Sequence, residues 1–171
     1  MPSQTPSAVF SREVDMYQPL LRLFFRLGLT VAEVPFFGKR IDLLFGTPSL
    51  LSLYAVETKL HDWRSAFKQA ALNQLAAQRS YIAVPWRLAT RLAEREEDLF
   101  RRYDVGLIGV GEFAKVLVLP KKNGCFSLRH HRILKSTLKK TQHRKPKTIG
   151  VVADAIADRS KALVVLQTRT D

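Results

Sequence analysis

The fold is decided by residues 51–85, which read LSLYAVETKLHDWRSAFKQAALNQLAAQRSYIAVP. The first part, residues 51–59, is an apolar run typical of a strand. Residues 64–78 are rich in Ala, Leu, Gln and Lys, which favour a helix. Residues 80–84 form a second apolar run, closed by Pro85. The stretch therefore predicts a strand, helix, strand crossover between two strands of one sheet.

Hydrophobic spacing predicts further elements on both sides of this crossover. They are a helix at 11–27 ended by Gly28, a hairpin of strands at 30–36 and 40–45, a helix at 90–103 and two strands at 105–110 and 114–119. The first three strands are expected to form an antiparallel meander. This order of elements predicts an α/β fold with a mixed central sheet flanked by helices.

The charge of the chain is unevenly distributed. It has 28 Lys and Arg against 15 Asp and Glu, a net charge of +13. Residues 1–120 carry 15 basic and 12 acidic side chains, whereas residues 121–171 carry 13 and 3. An excess of this kind indicates an anionic partner, with nucleic acid first and an acidic membrane surface second. The other interpretation is a solvated, partly disordered tail.

Three parts are expected along the chain. Residues 1–10 are a flexible lead-in, residues 11–120 the αβ core, and residues 121–171 a basic C-terminal extension that is partly helical or disordered. Within the extension the spacing predicts a basic helix at 129–140, a short helix at 149–157 and a strand at 162–167.

The expected compartment is the cytoplasm. Cys125 is the single cysteine, so no internal disulfide is possible, and a reducing environment fits. The N-terminus lacks a basic region ahead of an apolar one, so a secretory signal is not expected. The most apolar stretches are too short or too interrupted by arginine to cross a bilayer.

Two acidic positions stand out in apolar strands. Asp42 lies in the middle of an apolar run, and Glu57 closes another, two residues before Lys59. A carboxylate there is costly to bury unless it is paired, hydrogen-bonded or bound to a cation. One interpretation of Asp42 is a structural ion pair with Arg40 or Lys59. The other is that Asp42 and Glu57 jointly bind Mg²⁺, with Lys59 orienting or activating a water molecule.

The metal hypothesis requires a particular strand register. With a tight turn between the strands, Asp42 would lie about four residues from the position opposite Glu57, roughly 13 Å away. A wide loop that places Phe45 opposite about Tyr54 would bring the two acids together. The hypothesis therefore depends on the length of that loop.

Asp42 followed by Glu57-Thr58-Lys59, after an acidic first helix and before a helix with Gln69, resembles the PD-(D/E)XK nuclease superfamily over residues 11–120. The resemblance implies a restriction-endonuclease-like core, in which Asp42 and Glu57 are the metal-binding acids and Lys59 is the catalytic lysine. It also implies Mg²⁺ as the cofactor, with Mn²⁺ able to substitute.

Two further residues enter through the same resemblance. Glu13 matches an additional acid of Holliday-junction resolvases, and Gln69 matches a glutamine of recombination-type nucleases. Without it, Glu13 is an acid favoured by the macrodipole in the first turn of a helix, and Gln69 is a surface glutamine.

The hypothesis is a metal-dependent endonuclease that hydrolyses DNA phosphodiester bonds, in which basic side chains contact the phosphates. The candidate contacts are Arg64, Lys68, Lys121, Lys122, Arg129, Arg132, Lys135, Lys139 and Lys140. The alternatives are a catalytically inactive nucleic-acid-binding or accessory protein on the same fold, and an RNA-processing nuclease. A homodimer is compatible with each of these functions.

Overall fold

The computed structural model describes residues 9–123 and 127–142. Its centre is a six-stranded mixed sheet whose strands lie in sequence order. The strands are β1 (Leu29–Phe36), β2 (Lys39–Gly46), β3 (Leu53–Thr58), β4 (Arg79–Pro85), β5 (Val105–Val110) and β6 (Ala114–Val118). The α-helices of these residues are α1 (Tyr17–Leu23), α2 (Trp63–Asn73), α3 (Trp86–Arg95), α4 (Glu97–Arg102) and α5 (Leu128–Gln142). The expected α/β fold with a mixed sheet flanked by helices is confirmed.

The first three strands form the predicted antiparallel meander. A two-residue turn joins β1 to β2, and its central residues Phe37 and Gly38 have φ angles of 49° and 71°. Two consecutive positive φ angles give a turn whose twist matches that of the paired strands. Glycine adopts such an angle without steric cost, which explains its place in this hairpin.

The predicted crossover is also confirmed. β3 runs parallel to β4 with α2 between them, and β4 runs parallel to β5 with α3 and α4 between them. β6 returns antiparallel to β5. Because parallel neighbours end at the same edge of a sheet, β3 and β4 finish side by side, and α2 and α3 both begin near that edge.

The prediction of one continuous helix at 11–27 is wrong. The segment is a 3₁₀ turn at Glu13–Met16, then α1, then a second 3₁₀ turn at Phe25–Leu27, which ends at Gly28 with a φ of 90°. Pro19 explains the break, because its ring clashes with the carbonyl of the residue four positions earlier and it has no N–H to donate. Proline is tolerated only in the first turn, so the α-helix begins at Tyr17.

Two other helices differ in extent from the prediction. α2 ends at Asn73 rather than at 78, because Gln78 exchanges backbone and side-chain hydrogen bonds with Leu53 and is drawn into the sheet. The helix expected at 90–103 begins earlier and is divided into α3 and α4. The acidic pair Glu97 and Asp98 lies in the first turn of α4, where the helix dipole favours negative charge.

The helices cover opposite faces of the sheet. Alternate residues of β4 point to opposite faces, and Tyr81 packs in a cluster with α1 whereas Ile82 packs in a cluster with α2, α3 and α4. Successive side chains of a strand point in opposite directions, so α1 lies on one face and α2 to α4 lie on the other.

The basic C-terminal segment contributes to the core. Leu134 and Leu138 of α5 are buried in a cluster with Ala76 and Ala77, which follow α2. The core therefore continues past its expected end at residue 120. The elements expected at 149–157 and 162–167 lie outside the described residues. Among the described residues no helix has the length and apolar character needed to cross a membrane.

Candidate functional site

The loop between β2 and β3 sets the register of the two acidic positions. Phe45 pairs with Tyr54, and Leu43 pairs with Val56. The loop is wide, and Leu50 within it is buried and so anchors it to the core. The same register continued by one residue places Asp42 opposite Glu57. The structure therefore has the register that the metal hypothesis requires.

Asp42 is held by hydrogen bonds rather than by an ion pair. Its Oδ2 accepts from the backbone N–H of Thr58 at 2.7 Å and from the Thr58 hydroxyl at 2.8 Å. Burial raises the pKa of Asp42, and the two Thr58 hydrogen bonds oppose that rise. The alternative of a structural ion pair with Arg40 or Lys59 is not found, because each of these cations pairs with a different acid.

Glu57 is the most deeply buried acid of the site, with 3% of its surface exposed. Its Oε1 accepts a hydrogen bond of 2.6 Å from the side-chain amide of Asn73 on α2. Burial, followed by the charge of Asp42, raises the pKa of Glu57 to about 8, against the hydrogen bonds from Asn73 and Gln69. Two coupled carboxylates with raised pKa values are stabilised by a cation placed between them.

Lys59 lies just beyond the end of β3, where the strict alternation of the strand no longer applies. Its Nζ donates to both carboxylate oxygens of Glu13, at 3.0 and 2.8 Å. Burial lowers the pKa of Lys59, but Glu13, together with Asp42 and Glu57, outweighs burial and raises the pKa above its ordinary value. Lys59 is therefore an ammonium at neutral pH.

The two residues added by the resemblance both lie at this cluster. Glu13 is in the 3₁₀ turn before α1 and contacts Lys59 directly. Gln69 is on α2, donates to the backbone carbonyl of Arg40 in β2, and lies close enough to Glu57 to lower the pKa of that carboxyl. The structure thus brings together Glu13, Asp42, Glu57, Lys59 and Gln69, from four segments of the chain.

Two supporting residues were not singled out from the sequence as site residues. Thr58 holds Asp42, and Asn73 holds Glu57. Asn73 is 1% exposed and lies one helical turn after Gln69. A polar residue at this spacing in an otherwise alanine-rich helix is the signal that points to it. Thr58 has no comparable signal, because threonine is common in strands.

The donor set fits a hard divalent cation. Asp42 and Glu57 offer carboxylate oxygens, and Mg²⁺ is usually bound by one or two carboxylates, with water and substrate oxygens completing its shell. In the described ranges, no group of three or more His, Cys, Asp and Glu side chains is placed to hold a metal ion. The two carboxylates fit Mg²⁺ or Mn²⁺ and leave part of the coordination shell to water or other oxygen ligands.

The proposed phosphate contacts fall into two groups. Arg64 and Lys68 are exposed on α2, which begins beside the end of β3. The second group lies on α5, which packs on β1, or in the segment before it. Its members are Lys121, Lys122, Arg129, Arg132, Lys135, Lys139 and Lys140, and all of them are exposed except Lys135, which is half-buried. The first group lies on the same helix as Gln69 and Asn73, and the second belongs to a separate element.

Comparison with known proteins gives a fold relationship. No protein-family model and no curated protein matches the chain. The solved structure of a protein of unknown function from Silicibacter pomeroyi is similar, with a TM-score of 0.55 and 16% sequence identity over 83% of this chain and 88% of that chain. At this identity the similarity concerns the fold alone, which is α/β with a mixed sheet.

Proposed function

We propose that the chain is a metal-dependent nuclease that hydrolyses DNA phosphodiester bonds. The observation that carries the proposal is the register of β2 and β3, in which Asp42 and Glu57 directly follow the pair of Leu43 with Val56, together with the pKa of Glu57, which burial and Asp42 raise to about 8. Perturbed acids of this kind cluster at functional sites. Lys59 beside them supplies the positive charge that a phosphoryl transition state needs. The relationship to the PD-(D/E)XK superfamily remains part of this proposal.

The roles of the residues follow from their contacts. Thr58 fixes one oxygen of Asp42, and Asn73 fixes one oxygen of Glu57, so both carboxylates are oriented before substrate arrives. Asp42 and Glu57 would hold Mg²⁺, which when bound would supply Lewis-acid activation of the scissile phosphate and of a water molecule. Lys59 is charged and lies close to both acids, so it contacts a non-bridging phosphate oxygen or orients the attacking water rather than accepting a proton.

The Glu13 carboxylate holds the ammonium of Lys59 in place. The two side chains are about one-third exposed, so the pair is accessible to a substrate. An incoming phosphate competes with Glu13 for the same ammonium. Glu13 is therefore a positioning residue for Lys59 in this proposal.

A nucleic-acid-binding protein without catalysis is the second candidate. It is favoured by the engagement of Lys59 with Glu13, which occupies the residue proposed for catalysis. The basic excess of the chain fits this candidate equally. The two candidates differ in whether a metal-dependent product forms.

The deciding experiment incubates the purified chain with supercoiled, linear and branched DNA, and with RNA, in Mg²⁺, Mn²⁺ or EDTA. Cleavage of DNA that requires metal and is lost in Lys59→Ala and Asp42→Asn supports the proposal. Binding without any cleavage supports the second candidate. Cleavage of RNA alone supports an RNA-processing nuclease instead.

A further inference from the structure

A surface groove of about 210 Å³ lies between α2 and α3. Three arginines line it, namely Arg64 from α2 and Arg91 and Arg95 from α3, together with Trp63 and Leu88. We call this feature the arginine groove. Its single acidic lining residue is Glu96, so the net charge of the lining is positive.

The arginines of α3 form one stripe along the helix. Arg87, Arg91 and Arg95 follow one another at intervals of four residues, and all three are exposed. Like charges at this spacing repel each other on a helix surface. In the part of the chain that the structure describes, none of them forms an ion pair, although Glu94 and Glu96 lie close in sequence. The guanidinium groups of the stripe are therefore not engaged by these two acids, and they are suited to an external anion.

Arg64 is positioned for the same task. Its guanidinium carbon lies 4.6 Å from the centroid of the Trp63 ring. Stacking of this kind orients a guanidinium and leaves its N–H groups free to donate. A planar guanidinium matches two oxygens of a phosphate at once. The groove thus presents guanidinium groups from both of its walls.

One end of the groove, formed by Trp63 and Arg64 at the start of α2, lies near the candidate site. α2 and α3 begin where β3 and β4 end, and Glu57 and Lys59 lie at that end of β3. Lys59 also donates its backbone N–H to the carbonyl of Ala83 in β4, which joins the two strand ends. In open α/β sheets this edge is where ligands bind.

We propose that the arginine groove binds the phosphodiester backbone of the DNA strand that occupies the candidate site. The inference rests on the proposed nuclease function and extends it, because it assigns Arg91 and Arg95 to substrate binding. The groove is separate from the basic face of α5, which packs on β1.

The test compares two double charge reversals of equal size. Arg91→Glu with Arg95→Glu changes the groove, whereas Arg22→Glu with Arg26→Glu changes exposed positions on and just after α1, on the opposite face of the sheet. Affinity for fluorescently labelled single-stranded and duplex DNA is measured by anisotropy in EDTA over a series of NaCl concentrations. Circular dichroism checks that both variants fold.

The groove variant is expected to lose about tenfold or more in affinity at low salt. Its slope of log K against log salt should fall by about 1.4 for single strands or about 1.8 for duplex, because two phosphate contacts are lost. The control pair should retain the slope of the unmodified chain. Equal losses in both pairs would overturn the inference, since only net charge would then matter. Absence of DNA binding by the unmodified chain would also overturn it.

Competition identifies the source of the phosphate. Each competitor is titrated against labelled DNA bound to the chain. If inorganic phosphate or a mononucleotide displaces the DNA at a lower concentration than an unlabelled oligonucleotide does, the groove does not bind a strand and the inference is overturned. Dependence on the groove for RNA but not for DNA would overturn the choice of DNA.

The inference and the proposed function fail in different ways. Binding in EDTA requires no catalysis, so a groove-dependent affinity without cleavage supports the groove and contradicts the nuclease. If the unmodified chain cleaves DNA in a metal-dependent way and the groove variant binds and cleaves DNA equally well, the nuclease is supported and the groove is contradicted.

Discussion

Asn73 donates a hydrogen bond of 2.6 Å from α2 to Oε1 of Glu57 on β3. Both side chains are almost completely buried, at 1% and 3% exposed. The position of Glu57 is therefore fixed by the packing of α2 on the sheet, and its environment is one that opposes a negative charge. The free energy of unfolding must then depend on the ionisation of this one group.

The first prediction concerns pH. The pKa of Glu57 is about 8 in the folded chain against an ordinary value of 4.5, so the folded state retains a proton that the unfolded state has released. The stabilisation is complete below 4.5 and is lost as the pH rises toward 8, with a slope approaching about 1.4 kcal/mol per pH unit. Urea unfolding in EDTA across this interval measures it.

Glu57→Gln is the matched control for that measurement, because glutamine keeps the shape and does not titrate. The variant should lose most of the decline in stability over the same interval. A decline of equal slope in both proteins would show that Glu57 does not carry it.

The second prediction concerns the coupling between the two acids. Asp42→Asn removes the charge that, after burial, most raises the pKa of Glu57, so that pKa should fall while staying above its ordinary value. Carbon-13 NMR of the Glu57 carboxyl measures the change without metal.

Addition of Mg²⁺ should stabilise the unmodified chain by about 2.7 kcal/mol at a hundredfold excess over its dissociation constant, and should stabilise Asp42→Asn much less. Equal stabilisation of both would exclude Asp42 as a ligand.

Much of this site follows from local patterns. The apolar strands ending in Glu57 and interrupted by Asp42 are visible in the sequence, and so is the crossover that places α2 beside them. Their register is not, because it depends on Leu50 anchoring a wide loop in the core. The contact between Glu57 and Asn73 also depends on how α2 packs, which no local pattern determines.

The N-terminal and C-terminal helices show two other reasons why the sequence alone did not predict the structure in full. Pro19 was present in the predicted helix, but the apolar spacing around it concealed the break that its ring imposes. In the last helix, His131, Leu134 and Leu138 follow a helical spacing and are all buried. The surrounding lysines and arginines made this stretch resemble a solvated tail, although a helix has room for both a basic face and a buried one.

The third prediction separates catalysis from binding. Lys59→Ala should lower the cleavage rate by roughly 100- to 1000-fold, as expected when a group that stabilises transition-state charge is removed. DNA affinity in EDTA should change little, because one of many cations is lost. Single-turnover cleavage and anisotropy measure the two quantities. A parallel loss of both would assign Lys59 to substrate binding.

Glu13→Gln tests the partner of Lys59. The contact with Glu13 is the largest cause raising the pKa of Lys59, so the variant should lower that pKa. In Glu13→Gln the alkaline limb of the pH–rate profile should therefore move to lower pH. Glu13→Asp keeps the negative charge, so its limb should lie closer to that of the unmodified chain. An unmoved limb in Glu13→Gln would show that the charge of Lys59 does not limit the rate.

The last prediction concerns the C-terminal boundary of the core. Leu134 is fully buried in the cluster that joins α5 to the sheet and to Ala76 and Ala77, so Leu134→Ala should lower the free energy of unfolding by about 2–5 kcal/mol. Ile133 is its neighbour but is 50% exposed, and Ile133→Ala should cost less than about 0.5 kcal/mol beyond changes in helix propensity. Denaturant unfolding measures both. If α5 were only an attached basic tail, the two variants would be equally stable, and its cations would have no fixed position relative to the candidate site.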